Sequence, residues 1–305
     1  MLMVMLQMAL LIAVGVLWQR LAPTHITAIA HRRALTYLVF FILLPALVLH
    51  VIWQASFDAS SIKISLTALA TLASSMLLMW LCIKCMRLTR AQQGALLLAA
   101  TFPNATYLGL PVTGQVLGDW TQVVVLKFDL LACTPVLLTI GILIAHRFGE
   151  AQTKIHPLQE LVRVPPLWAL VVASVLNVTN TPQPALLAHA LQTLSGGVVP
   201  LMLIALGMSI RWDTLQMRFM PLLLPVCAIA LVIAPLVALG VGGALGLETS
   251  TLTAVVLLAA MPTMIFGIVI CERYQLDGAL YAAAVFLTTL LSMVTLTLWF
   301  NWLTN

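Results

Sequence analysis

Apolar residues run along this chain in long blocks, and nearly all the charge falls in the short stretches between them. The blocks lie at about 2–19, 34–54, 62–83, 91–117, 121–146, 164–178, 185–210, 219–246, 251–271 and 278–303. A run of roughly 20 predominantly apolar residues can cross a bilayer as a helix. The pattern therefore predicts an all-α polytopic membrane protein with ten transmembrane helices. The first block reads as an anchor. A secretory leader carries its positive charge before the apolar run, whereas Arg20, Arg32 and Arg33 follow this one.

Composition narrows the class. The 305 residues are 62% apolar and 8% charged, against roughly 45–50% and 25% in a soluble domain, which excludes an ordinary water-soluble enzyme. The net charge of +5 lacks the polar face on which a nucleic-acid binder would cluster it, so no nucleic-acid partner is expected. Its placement explains the excess. Taken alternately, one set of connections holds Arg20, Arg32, Arg33, Lys84, Arg87, Arg90, Arg147, Lys154, Arg163, Arg211, Arg218 and Arg273, and the other holds Lys63 alone. Lys and Arg in short loops mark the cytoplasm, so both termini should face outside a plasma membrane.

Five blocks on each side of the 149–163 connection suggest two repeats, 1–148 and 164–305. Pro45 and Pro111 lie in the second and fourth blocks, 66 residues apart, and Pro200 and Pro262 lie in the seventh and ninth, 62 apart. Each half has an odd number of crossings, so the halves enter the membrane from opposite sides and the repeat is inverted.

The fourth block holds Thr101-Phe102-Pro103-Asn104-Ala105-Thr106-Tyr107-Leu108-Gly109-Leu110-Pro111-Val112-Thr113-Gly114-Gln115. Proline removes a backbone donor and clashes with the preceding turn, so this stretch predicts a helix broken near the middle of the membrane. Freed backbone groups at that depth must be buried in protein or face a wet cavity. The counterpart in the ninth block is Ala260-Met261-Pro262-Thr263-Met264-Ile265-Phe266-Gly267. Ordinary proline kinks in packed helices are the bland alternative, weakened by the paired positions.

These residues resemble the auxin efflux carrier family, which includes plant exporters and bacterial permeases for small organic acids. Asn104-Ala105-Thr106-Tyr107-Leu108-Gly109-Leu110-Pro111 looks like its fourth-helix motif, and Ala260-Met261-Pro262-Thr263, running on to Cys271-Glu272-Arg273-Tyr274, looks like its ninth. Pro45 and the Gly196-Gly197-Val198-Val199-Pro200 stretch also fall where the family has them. The resemblance implies two inverted five-helix repeats, with helices four and nine broken and crossing at their prolines. It implies a scaffold bundle and a moving bundle that carries the crossover. It places Asn104, Pro111 and Pro262 around the substrate, with Thr106, Tyr107, Gly109 and Thr263 beside them in the same motifs. It points to a bacterial organic-acid permease of the inner membrane. Only Thr263 is polar beside the ninth-helix proline, where relatives can carry an Asn.

Charge inside a span is expensive and defaults to a functional reading. Counting about 1.5 Å per residue from Thr121, Lys127 lies roughly 9 Å deep and Asp129 roughly 12 Å. Lysine can snorkel from there and aspartate is too short, so Asp129 is the proton-coupling candidate, with Lys127 beside it. A structural carboxylate bonded to a neighbouring helix is the competing reading. His25, His31, His146 and His156 fall in basic connections, while His50 and His189 lie near outer span ends. Trp53, Trp120, Trp299 and Trp302 suit interfacial anchoring. Cys82 and Cys85 form a lone CxxC read as two buried helix residues, so no metal and no cofactor is expected. Asn177-Val178-Thr179 matches a glycosylation sequon.

A Ser–His or paired-aspartate intramembrane protease lacks its partners here, a channel lacks a filter or charged ring, and no Walker A motif is present. The expectation is a secondary active transporter for a small organic anion, a carboxylate, working by alternating access with protons as a candidate coupling ion. A non-transporting sensor or partner subunit on the same fold, and a sodium-coupled symporter, are the alternatives. The expected partners are the lipid bilayer, a small organic-acid substrate and, as an open alternative, a second copy of the chain in a homodimer.

Overall fold

The computed structural model describes residues 2–21, 27–55, 59–150, 162, 164–209 and 219–304. Most of the 149–163 connection, with Lys154, Arg163 and His156, lies outside the described residues, as do His25, Arg211 and Arg218.

Apart from the single β-bridge described below, the described residues form helices, turns and coil. In chain order the helices are α1 (Leu2–Leu21), α2 (28–52), α3 (Ala59–Lys84), α4 (Arg90–Thr101), α5 (Leu110–Leu117) and α6 (Thr121–Phe148). There follow α7 (Pro165–Val178), α8 (Ala185–Met208), α9 (Met220–Ala244), α10 (Thr249–Ala259), α11 (Gly267–Tyr274) and α12 (Gly278–Thr304). Six of these segments are long and apolar enough to cross a membrane: Ala30–Ile52 in α2, and α3, α6, α8, α9 and α12. Leu6–Gln19, α7 and α10 are shorter apolar helices.

Prolines inside apolar helices are accommodated by wide, π-type turns. Val39–Leu43, Ala105–Gly109, Asp129–Cys133 and Ile229–Ile233 are such turns, and Pro45, Pro111, Pro135 and Pro235 each follow two residues later. A proline ring clashes with the carbonyl of the preceding turn, and one extra residue in that turn moves the carbonyl aside.

Packing sorts the helices into two groups. One comprises α1, α2, α7 and α8, with α1 against α8 and α2 against both α7 and α8. In the other, α3 packs on α4 and α9, α10 on α6 and α9, and α12 on α4, α9 and α11. Gly15 and Gly207 set the α1–α8 distance, since a Cβ on Gly207 would lie 2.0 Å from the carbonyl oxygen of Ile12. Large apolar side chains are exposed on the outside of both groups, among them Leu10, Leu17, Val175, Leu224, Val294 and Leu298. That surface suits lipid.

Some expectations change at residue level. Trp53 turns inward and donates to the Thr181 carbonyl (2.9 Å), whereas Trp120 and Trp302 are exposed. Cys85 is exposed just past α3, so the CxxC pair is not two buried helix residues. Asn177 spends its amide on the carbonyls of Ile52, Trp53 and Ala55 (3.4, 2.8 and 2.7 Å), which leaves it unsuited to carry a glycan.

Candidate substrate site

The fourth and ninth apolar blocks are both interrupted, and the interruptions cross. Between α4 and the wide turn at Ala105–Gly109, residues 102–104 leave the helical path, as does 260–266 between α10 and α11. Pro103 and Thr263 meet in an antiparallel bridge. The N–H of Asn104 donates to the Pro262 carbonyl (2.7 Å) and that of Met264 to the Phe102 carbonyl (3.0 Å). Thr263 donates from its N–H to the Thr288 hydroxyl oxygen (3.1 Å) and from its own hydroxyl to the Ala99 carbonyl (2.8 Å). The Tyr281 hydroxyl donates to the Met264 carbonyl (2.8 Å). Gly267 permits that approach, since a Cβ there would lie 2.0 Å from the tyrosine oxygen. Backbone groups that two broken helices would leave orphaned at this depth are thus paired within the protein.

The resemblance implies a crossing at the prolines of the two blocks, framed by Pro111 and Pro262. Pro262 does lie in the second interruption, but the first falls at Pro103, eight residues before Pro111. Pro111 lies inside a continuous helical run, two residues after the wide turn Ala105–Gly109. The wide turn ahead of it absorbs the ring.

A cavity of about 630 Å³ opens beside the crossing, within the range of small-molecule sites. Its buried end is polar, formed by Asn104, Thr106, Tyr107, Asp129 and Thr134. Asn104 is 2% exposed, and its side-chain Nδ2 has no hydrogen-bond partner. Asp129 is 6% exposed; Thr106 donates to one of its carboxylate oxygens and Thr134 to the other (3.3 Å). Phe40, Leu137, Met202, Met264 and Phe266 make apolar walls, with Phe40 and Phe266 stacked at 6.0 Å. Toward the surface lie Arg32, Arg33, Glu272 and Arg273, and Arg33 pairs with Glu272 at 3.5 Å.

Of the residues singled out from sequence, the cavity gathers Asn104, Thr106, Tyr107 and Asp129. Gly109, Pro111, Pro262 and Thr263 lie in the surrounding framework and not on its wall. Lys127 is 3% exposed and also off the wall, so it does not snorkel to the surface of the protein. His50 and His189 are not on the wall either. Sequence reasoning missed Thr134, the rim charges and the aromatic wall from α2. Pro135 stands two residues after the wide turn that brings Thr134 to Asp129.

Residues 1–300 match the family described as membrane transport protein. The chain belongs to this family. It is the auxin efflux carrier family that the motifs resemble. Among its relatives, an uncharacterized transporter of Methanothermobacter thermautotrophicus is 31% identical over 204 residues, covering 67% of this chain and 66% of that protein. An uncharacterized transporter of Methanocaldococcus jannaschii is 24% identical over 210 residues, covering 68% of this chain and 67% of that protein. The chain thus spans about two thirds of each relative's length. Family and relatives are transporters rather than enzymes, and a membrane transport protein with these apolar helices is an integral membrane protein.

Proposed function

We propose that the chain is a secondary active carrier of a small organic anion, a carboxylate, working by alternating access and coupled to protons through Asp129. The observation that carries this reading is the unpartnered amide of Asn104, buried at the polar end of the cavity where two interrupted helices cross. An amide N–H without an acceptor at such depth is a costly group, and a carboxylate oxygen would satisfy it. The wide turn before α5 and the start of α11 both border the cavity through Thr106, Tyr107 and Phe266. Positive helix ends there favour an anion.

An ionised Asp129 on the same wall would repel that anion, which is why the reading includes a proton. Lys127, off the wall, has at most an indirect part. The full architecture in this reading is ten transmembrane helices in two inverted five-helix repeats, 1–148 and 164–305, joined by a cytoplasmic 149–163 segment. Pair packing supports it: exchanging the first half's helices for their counterparts turns the α1–α8 contact into the α7–α2 contact, both of which are present. Both termini would face outside, in a bacterial inner membrane if the source is bacterial. Pro262 and Thr263 belong to the crossover, Gly109 and Pro111 to the helix that follows it, and a homodimer is an open assembly state.

The sodium-coupled alternative draws on the oxygens of Asp129, Thr106 and Thr134, and one experiment separates the two. Purified protein in proteoliposomes is offered labelled lactate, succinate and benzoate under an imposed pH gradient, with sodium or choline as the salt. Uptake of at least one acid, driven by the proton gradient and equal in choline, is expected, and Asn104→Ala should reduce it about tenfold or more. No uptake of any acid would refute the carrier reading for these substrates. A strict sodium requirement would replace proton coupling with sodium coupling.

A further inference from the structure

We propose that Thr106 is a switched donor: its hydroxyl is held by Asp129 while that carboxylate is ionised, and is released to bind the anion when Asp129 takes a proton. The proposal rests on the carrier reading above and adds an order to it, proton first and anion second, with Thr106 as the group that enforces the order.

The argument is one of donor and acceptor counting. An ionised carboxylate only accepts, and a threonine hydroxyl has one proton to give. Thr106 gives that proton to Asp129, so in the ionised state it has nothing to offer the cavity it lines. Thr134 is committed to the other carboxylate oxygen in the same way. An arriving carboxylate then meets the free amide of Asn104 but also the lone pairs of Thr106 and a negative charge.

Protonation of Asp129 on the oxygen facing Thr106 reverses the bond. The new O–H donates to the threonine oxygen, and the threonine proton rotates away toward the cavity. The proton comes from the acidic bulk solution, whose hydronium gives up an O–H bond, and within the protein no covalent bond other than the new O–H forms or breaks. Asn104 Nδ2 and Thr106 Oγ1, two residues apart on the crossover, then provide two donors to one carboxylate, and the repelling charge is gone.

The surroundings leave Asp129 as the group to carry the proton. Tyr107 and Cys133 are the other titratable side chains beside it. α3 packs on the same wide turn and has no titratable residue between Lys63 and Cys82, and α7, also against it, has none. Lys127 stands two residues earlier on α6, off the cavity wall and engaged in an interaction of its own. Arg32, Arg33, Tyr37, Glu272 and Arg273 line the same cavity away from its polar end.

The test uses purified full-length protein in nanodiscs, with equilibrium binding of labelled lactate, succinate and benzoate between acid and alkaline pH, and infrared spectra of the protonated carboxyl. Wild-type binding should strengthen as pH falls. In Asp129→Asn the amide donates to Thr106 permanently, so binding should lose its pH dependence. Thr106→Val should weaken binding about tenfold or more at acid pH and shift the Asp129 carboxyl band, and Thr106→Ser should restore both. Wild-type-like affinity in Thr106→Val would overturn the switch while leaving the carrier reading intact. Loss of all binding in a folded Asp129→Asn protein would also overturn it, because the ionised form would then be the one required. If none of the acids binds the wild type yet the carboxyl band still shifts in Thr106→Val, the hydrogen-bonded pair stands and the carrier reading fails for these acids.

Discussion

Asn177 closes the end of α2 with one side chain. Its amide donates to the carbonyls of Ile52, Trp53 and Ala55, at and just past the end of the helix. The Trp53 indole reaches back to the Thr181 carbonyl, and Gln54 donates to Gln183 at 2.6 Å. Together these tie the end of α2 to the turn between α7 and α8. Replacing Asn177 by Ala strands half-buried carbonyls at a cost of about 1–3 kcal/mol. A lower melting temperature in detergent is expected, with carboxylate binding unchanged because the cavity lies elsewhere. A shift in binding with no loss of stability would mean that this end of α2 communicates with the site.

At the scale of elements, the crossover is held by side chains as much as by its two bridging hydrogen bonds. Thr288 accepts the N–H of Thr263 while bonding back to the Ala284 carbonyl (2.7 Å), so it links α12 to the interruption between α10 and α11. Thr288→Val keeps the volume and leaves the Thr263 N–H unpaired. Folded yield and thermal stability should fall by about 1–3 kcal/mol, and Thr288→Ser should recover most of the loss. If Thr288→Val were as stable as wild type, the crossing would be self-sufficient without α12.

What the sequence disclosed of these elements follows from what hydropathy can carry. The apolar blocks locate the helices closely because burial in lipid or protein is a property of whole stretches. The first interruption was displaced by eight residues because proline has two outcomes in a helix, a break at Pro103 and an absorbed wide turn before Pro111, and local sequence does not separate them. Thr134 was missed for a geometric reason. On a regular helix a residue and the fifth one after it lie about 140° apart, so Asp129 and Thr134 would diverge. The wide turn at Asp129–Cys133 adds a residue and brings them to one side. Thr106 could be named as a candidate, but its partnership with Asp129 spans two helices and left no local trace.

On the scale of the whole molecule, the two helix groups meet in three places, one of them the packing of Val48, Ile52 and Ala173 of α2 and α7 against Leu126 and Leu130 of α6. On the rim side of the cavity, Phe40 stacks on Phe266 and Arg33 pairs with Glu272, each joining α2 to the segment around α11. Deeper in, an apolar seam brings Met8, Leu203 and Leu206 of the α1–α8 pair against Leu108, Val112, Leu257, Met261 and Leu296 of the other group. If the groups rock against each other, the seam must part while the rim contacts tighten, so fixing the rim should arrest transport. Arg33→Cys and Glu272→Cys, in a background without the five native cysteines, can be joined by a short, reducible bifunctional thiol reagent. Uptake should stop on cross-linking and return on reduction. The control is Gln54→Cys with Gln183→Cys, a contact inside one group, where cross-linking should leave uptake unchanged. Continued uptake with the rim cross-linked would show that the groups do not move relative to each other there, and alternating access would need a different pair of moving parts.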